Sequence, residues 1–146
     1  MAELLALLGL NWTMDKKLLP PRILLVEDNP VFQTLILKQL EDISNDVTIY
    51  SKGESFLEEE DITADLIILD YHLEGDINGY DVLRKIKKLP FPPPVIFFSA
   101  NLELTITSSV LKLGVVEYIE KSIFSLSRLK EAIHHVLGMY PAQEPA

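Results

Sequence analysis

Apolar residues in this chain fall into short unbroken runs, separated by stretches in which they recur every three or four positions. Three runs are uninterrupted: Ile23-Leu24-Leu25-Val26, Leu66-Ile67-Ile68-Leu69 and Val95-Ile96-Phe97-Phe98. Runs this short, without polar alternation, predict strands buried on both faces, as in a parallel sheet. Val47–Tyr50 and Val115–Ile119 predict two more. Between the runs the period lengthens. Asn29-Pro30 opens a helix carrying Phe32, Leu35, Ile36 and Leu40 at helical spacing, with Asn29 or Asp28 as its cap and Pro30 in its first turn. Gly53–Glu60 predicts a weak, acidic helix. Tyr80–Leu89 predicts a helix with Val82, Leu83 and Ile86 turned inward, and Pro90, Pro92, Pro93 and Pro94 end it. Leu102–Leu113 reads as a helix closed by Gly114, and Phe124–Leu137 as a last one stopped by Gly138 and Pro141.

Five strands alternating with five helices predict an α/β fold, a doubly wound five-stranded parallel sheet with helices on both faces. Right-handed crossovers and the flavodoxin-like strand order 2-1-3-4-5 follow as the natural arrangement. Residues 1–21 lie outside the alternation. Leu4, Leu5, Leu7 and Leu8 suit a short helix there, and Pro20-Pro21 separates it from the first strand. Such a segment can fray, dock on its own domain, or form a dimer or partner contact. The domain is therefore expected over residues 22–138, with an N-terminal extension over 1–21 and a tail over 139–146.

At 146 residues the chain has room for one full core. Its 22 Asp and Glu against 13 Lys and Arg leave a net charge of −9, which repels nucleic acid and argues against direct DNA binding. The local basic cluster of Arg84, Lys85, Lys87 and Lys88 reads as a solvated helix face. The absence of cysteine excludes disulfides, thiol catalysis and cysteine-ligated metals, and suits the cytoplasm. No apolar run approaches the ~20 residues needed to span a membrane. The leucine-rich N-terminus lacks the basic start of a signal peptide.

The candidate chemistry lies where the predicted strands end. Glu27-Asp28 follows the first run, Asp70 the third strand, Ser99 the fourth, and Lys121 the fifth. The carboxyl ends of parallel strands form the rim at which open α/β folds bind ligands. Clustered carboxylates repel by roughly 4 kcal/mol per pair at ~4 Å and an effective dielectric of 20, so three of them call for a cation. Oxygen ligands without His or Cys favour Mg²⁺, which prefers phosphate oxygens as partners. A hydroxyl and an ammonium are donors suited to a phosphoryl group. A carboxylate such as Asp70 can itself attack phosphorus to form an acyl phosphate.

These residues resemble the receiver domain of two-component response regulators. The matching stretches are Ile23 to Asn29, Leu66 to Asp70, Asn78-Gly79-Tyr80, Val95 to Ala100, and Gly114 to Lys121, and the resemblance as a whole covers roughly residues 22–138. The resemblance implies that Asp70 is the phosphoacceptor, taking a phosphoryl group from a phosphohistidine of a sensor histidine kinase or phosphotransfer protein. It implies Mg²⁺ held by Asp28 and Asp70, by Glu27 mainly through water, and by the backbone carbonyl of His72. Lys121 and Ser99 would contact the phosphoryl oxygens. Ser99 and Tyr118 would form the switch, and His72 and Asn101 would tune dephosphorylation. The domain would be a stand-alone switch or phosphorelay intermediate rather than a turnover enzyme, read by a separate downstream protein. The competing reading is an interaction module that no longer takes phosphate.

Three features depart from the family pattern. Ser122 stands where a proline with a cis bond usually follows the lysine. A cis bond without proline costs ~2.5–4 kcal/mol, so a trans bond is expected. The loop from Tyr71 to Gly79 is one residue longer than the commonest form and lacks the usual Met-Pro. His72 and Asn101 form an uncommon pair at the tuning positions.

The surface near Val110, Tyr118 and Leu126 is the expected partner face, and Leu37 a candidate contact for the phosphodonor. His134 and His135 read as inert residues on the last helix. The fourth helix is rich in Thr105, Thr107, Ser108 and Ser109, each costing roughly 0.4–0.7 kcal/mol relative to alanine, and is expected to be labile.

Overall fold

The computed structural model describes residues 19–138. Leu4, Leu5, Leu7, Leu8 and the tail over 139–146 lie outside the described residues. The elements run β1 (Arg22–Val26), α1 (Pro30–Leu40), β2 (Asp46–Tyr50), α2 (Gly53–Leu57), β3 (Leu66–Leu69), α3 (Gly79–Lys87), β4 (Val95–Ser99), α4 (Leu104–Leu113), β5 (Glu117–Glu120), a 3₁₀ turn (Ile123–Ser125) and α5 (Leu126–Val136). All strand pairs are parallel, in the order β2-β1-β3-β4-β5. The predicted fold class and strand order are both present.

The unbroken apolar runs are explained by two cores. Along each inner strand, successive side chains point to opposite faces. Ile23, Leu25, Leu66, Ile68, Ile96 and Phe98 pack with Ile36, Leu40, Leu129 and Ile133 of α1 and α5. Leu24, Val26, Ile67, Leu69, Val95 and Phe97 pack with Phe56, Val82, Leu83, Ile86 and Val110 of α2, α3 and α4. A polar residue on either face would be buried, which is why Ile23–Val26, Leu66–Leu69 and Val95–Phe98 carry none. The edge strands β2 and β5 are only partly buried.

Local chemistry sets the helix starts. The Asn29 side chain accepts hydrogen bonds from the N–H groups of Val31 and Phe32, so Asn29 rather than Asp28 is the cap of α1. Asn78 and Asp81 form a reciprocal capping box at α3. The acidic run Glu58-Glu59-Glu60-Asp61 does not extend α2, which ends at Leu57. Lys85 of α3 donates to the carbonyls of Leu57 and Glu59, so one member of the basic cluster ties two helices together.

Other expectations shift. β5 begins at Glu117 instead of Val115, because pairing with β4 starts at Ile96↔Glu117. The last helix begins at Leu126, after a 3₁₀ turn that Ser122 and Ser125 cap reciprocally. Val110 and Leu126, expected on a partner face, are core residues. The exposed apolar side chains nearby are Leu104, Leu111, Val116, Ile123 and Phe124. The error follows from the mixed spacing of α4 and from the one-turn offset at α5. Leu37 is half-buried. No peptide bond among the described residues is cis, so Lys121–Ser122 is trans as expected.

α4 buries one residue completely, Val110, and no side chain caps its first turn. α1 buries Ile36 and Leu40 and is capped by Asn29. Amide hydrogen exchange in α4 is therefore expected to be at least about tenfold faster than in α1, because weakly anchored elements open locally at lower free energy. Equal protection of the two helices would refute the lability of α4.

Candidate functional site

Strand register brings the predicted residues to one rim. Val26 pairs with Leu69, and Asp70 N–H donates to the Val26 carbonyl at 3.0 Å, so Glu27 and Asp70 leave the sheet side by side. On the other side, Ser99 pairs with Glu120, and Lys121 N–H donates to the Ser99 carbonyl at 2.7 Å. The acid pair, Asp70, Ser99 and Lys121 thus meet because Ser99 ends β4 and the others follow the last paired residues of β1, β3 and β5.

Glu27 and Asp70 are almost wholly buried, with 1% and 2% exposure. One ammonium spans them: Lys121 Nζ donates to Glu27 Oε1 at 2.8 Å and to Asp70 Oδ2 at 2.6 Å. The same Nζ lies 4.8 Å from the centre of the Phe32 ring, close enough for a cation–π contact. Glu27 Oε2 accepts from the Asn29 N–H at 3.1 Å. Gln33 of α1 donates to the Glu27 carbonyl at 2.6 Å and to Ser51 Oγ at 3.1 Å, which holds the acid-pair loop against the end of β2.

Burial, then the charge of Asp70, pushes the Glu27 carboxyl up to about 7, against the opposing pull of Lys121 and the Asn29 N–H. Burial disfavours the Lys121 charge, but hydrogen bonds and attraction from Asp70 and Glu27 outweigh it and hold the ammonium above its usual range. The site is thus a pair of buried acids sharing one base.

The donor set fits a divalent cation. Glu27, Asp28 and Asp70 each offer a carboxylate oxygen, and these oxygens lie within 4.8 Å of one another. Asp70 Oδ1 is buried and has no hydrogen-bond partner among the described residues, so one oxygen of the central acid remains uncommitted there. Three carboxylates against one ammonium leave excess negative charge, which hard oxygen chemistry would neutralise with Mg²⁺.

The remaining predicted residues are more dispersed. Ser99 is fully buried, and its Oγ accepts from the Tyr71 N–H at 3.3 Å. Tyr118 is stacked on Phe97 with ring centres 5.9 Å apart, and its hydroxyl donates to the Ala100 carbonyl at 3.3 Å. Burial pushes the Tyr118 phenol up. His72 and Asn101 are exposed, and the His72 ring sits edge-on to Tyr71 at 5.0 Å. Tyr71, Tyr80, Thr105, Ile106 and Ser109 line a cleft between α3 and α4.

Sequence reasoning missed the supporting residues. Gln33 and Phe32 gave no chemical signal, because both also satisfy the ordinary pattern of a surface-packed helix. Gly79 was readable only as a turn residue. In the structure, a Cβ there would lie 2.1 Å from the Asp70 carbonyl oxygen, so α3 approaches the Asp70 backbone as only glycine allows.

A doubly wound parallel sheet with buried carboxylates and a lysine at its C-terminal rim defines a flavodoxin-like α/β domain built around an acidic, cation-compatible site. The model of the response regulator receiver domain matches residues 23–134, and the chain belongs to that family of two-component signalling domains. It is 30% identical over 116 residues to the transcriptional regulatory protein CiaR of Streptococcus pneumoniae, covering 80% of this chain and 51% of that protein. The signal receiver domain of a putative LuxO repressor protein from Vibrio parahaemolyticus superposes with a TM-score of 0.72 at 30% identity, covering 82% of this chain and 92% of that one. The receiver domain of a sensor histidine kinase from Pseudomonas aeruginosa gives 0.69 at 30% identity, covering 81% and 98%, and has a magnesium ion coordinated in its active site cleft. The chain spans about half the length, or less, of the curated relatives it matches, with 51% of CiaR and 38% of the Regulator of RpoS of Escherichia coli. No described helix is long and apolar enough to cross a membrane.

A cation must compete with the proton on Glu27. With the Glu27 carboxyl at about 7, the site is mostly protonated at pH 6 and mostly ionised at pH 8. Cation binding expels the proton, so Mg²⁺ affinity should rise about tenfold between those values. Calorimetric titration checks this, with Glu27→Gln expected to flatten the dependence. An affinity that falls with rising pH would contradict the assignment.

Proposed function

We propose that this chain is a phosphoacceptor switch, in which Asp70 accepts a phosphoryl group from the phosphohistidine of a sensor histidine kinase or phosphotransfer protein. The observation that carries the reading is Asp70 itself: a buried carboxylate, one oxygen held by Lys121 and the other without a partner. In the reaction a carboxylate oxygen of Asp70 attacks phosphorus and the P–N bond breaks. The imidazole leaves with the bond's electron pair and takes up a proton, and an acyl phosphate remains on Asp70. Mg²⁺ held by Glu27, Asp28, Asp70 and the His72 carbonyl would supply charge neutralisation for the phosphoryl oxygens.

Lys121 is already placed at Asp70 and would follow the new charge, releasing Glu27 to a cation. Phosphorylation adds ~1.5 to 2 negative charges and strong acceptor oxygens beside the rim. The Ser99 hydroxyl, engaged only as an acceptor of the Tyr71 N–H, has its proton free to donate to them. Movement of Ser99 would change the support of Tyr118, which hangs from the Ala100 carbonyl one residue further on. His72 and Asn101, both exposed, would influence access of water and thus dephosphorylation. The exposed residues Leu104, Leu111 and Phe124 give a downstream protein, or a second copy, an apolar face to read. The acidic surface argues against direct nucleic-acid contact. We read the chain as a non-turnover switch that acts in the cytoplasm.

Incubation with Mg²⁺ and a small-molecule phosphodonor should give one acid-stable, base-labile phosphoryl group per chain. Asp70→Asn should abolish it, and Lys121→Ala should leave phosphorylation but weaken the coupled change at Tyr118, read by NMR. Incorporation that persists in Asp70→Asn, or none in the unaltered protein, would contradict the proposal.

A further inference from the structure

The loop after Asp70 lacks the family's usual Met-Pro and carries an extra residue, yet it is anchored. The anchor comes from α2. Glu54 Oε1 accepts from the backbone N–H groups of Asp76 and Ile77, both at 3.1 Å. Gly75 bends with φ of +97°, and a Cβ there would lie 2.8 Å from Glu54 Oε1 and 3.1 Å from Oε2. Side-chain-bearing residues rarely adopt that φ, so Gly75 meets both the conformational and the spatial demand. One residue earlier, a Cβ on Gly53 would lie 2.6 Å from Ile77 Cγ2, so the helix start and the loop interlock from both sides. Lys52 and Glu74 add a parallel bridge.

Glu54 Oε2 is buried without a hydrogen-bond partner. A carboxylate oxygen is rarely left so, and this one lies close against Gly75, so the carboxylate and the loop are packed tightly together. Backbone N–H groups, first its own and then those of Ile77 and Asp76, hold the Glu54 carboxyl below the usual range, burial opposing them. The anchored segment leads directly into Asn78 and Gly79, and Gly79 N–H donates to the Tyr71 carbonyl at 2.8 Å. The loop is thereby closed on itself between Asp70 and α3, with His72 inside the closed span.

We infer that Glu54 is a positioning residue for the phosphoacceptor site: it fixes the loop that presents the His72 carbonyl to Mg²⁺. The inference rests on the phosphoacceptor reading above. Glu54 touches neither the cation nor phosphorus and acts through the backbone of residues 75–77.

The test is a double-mutant cycle on the full chain, with Mg²⁺ itself as the ligand. Outer partners of metal ligands typically contribute 10–100-fold in affinity, and Glu54→Ala should weaken Mg²⁺ about tenfold, at the low end because it acts through backbone. Gly75→Ala should weaken Mg²⁺ at least as much, since it adds strain at φ +97° to the disturbed contact, and the double variant should fall short of the combined effect of the two, because both act on one tether. Hydrogen exchange of the Asp76 and Ile77 amides should accelerate in each, while that of Ile67 and Ile68 stays unchanged. Glu54→Gln keeps an acceptor oxygen and should recover part of the affinity, which also guards against loss of folding in the alanine variant. Unaltered Mg²⁺ affinity in Glu54→Ala despite faster loop exchange would overturn the inference, as would simple additivity in the double variant. An unaltered protein that binds Mg²⁺ and takes phosphate, with Glu54→Ala identical to it, overturns this inference alone; an unaltered protein that does neither overturns the phosphoacceptor reading with it.

Discussion

Two buried carboxylates sharing one ammonium are the constraint around which this rim is organised. Glu27 and Asp70 leave adjacent strands at the same level, and Lys121 bridges them from the end of β5 at 2.8 and 2.6 Å. Without the lysine, two ionised acids a few ångströms apart would repel by roughly 4 kcal/mol, even at an effective dielectric of 20. With it, the pair is held but not fully satisfied, because Asp70 Oδ1 has no partner and Asp28 adds a third carboxylate. A site left short of positive charge in this way is suited to a divalent cation and, through it, to a phosphoryl group.

The rest of the fold supports that geometry. Parallel pairing brings the strand ends level, and apolar side chains on both faces of β1, β3 and β4 fix the register. A one-residue slip would turn buried side chains to the opposite face and carry Glu27 or Asp70 away from the rim. α1 holds the acid-pair loop through Asn29 and Gln33. α3 presses Gly79 against the Asp70 carbonyl. α2 supplies Glu54 to the loop between them. α4, the least anchored helix, borders the one aromatic residue whose hydroxyl hangs from the backbone just beyond Ser99. Rigid parts hold the chemistry, and the loosest part lies where a change in the site would be felt.

The sheet and its principal residues were legible in the sequence because each rested on two signals. An unbroken apolar run marks a doubly buried strand, and a polar residue at its end marks the rim; Glu27, Asp70 and Ser99 satisfy both. Lys121 was legible by its place after the fifth strand, although that strand's start was misjudged because Val115 and Val116 are apolar without being paired in it. Val110 and Leu126 were mistaken for surface because helix phase cannot be read from a segment crowded with Thr and Ser, or across an unrecognised 3₁₀ turn. Glu54, Gln33 and Phe32 were invisible for a different reason. Their roles depend on groups that only the fold brings to them, the Asp76 and Ile77 amides for Glu54, the Glu27 carbonyl and Ser51 for Gln33, and the Lys121 ammonium for Phe32, and nothing in their local pattern signals those contacts.

The most direct measurement is a crystal structure of the chain with Mg²⁺ and beryllofluoride, a mimic of the phosphoryl group. The account predicts beryllium bonded to a carboxylate oxygen of Asp70, the cation among Glu27, Asp28 and Asp70, and Lys121 Nζ drawn from Glu27 onto the fluorines. An unmodified Asp70 with Lys121 still spanning both acids, at concentrations that saturate other members of the family, would contradict it.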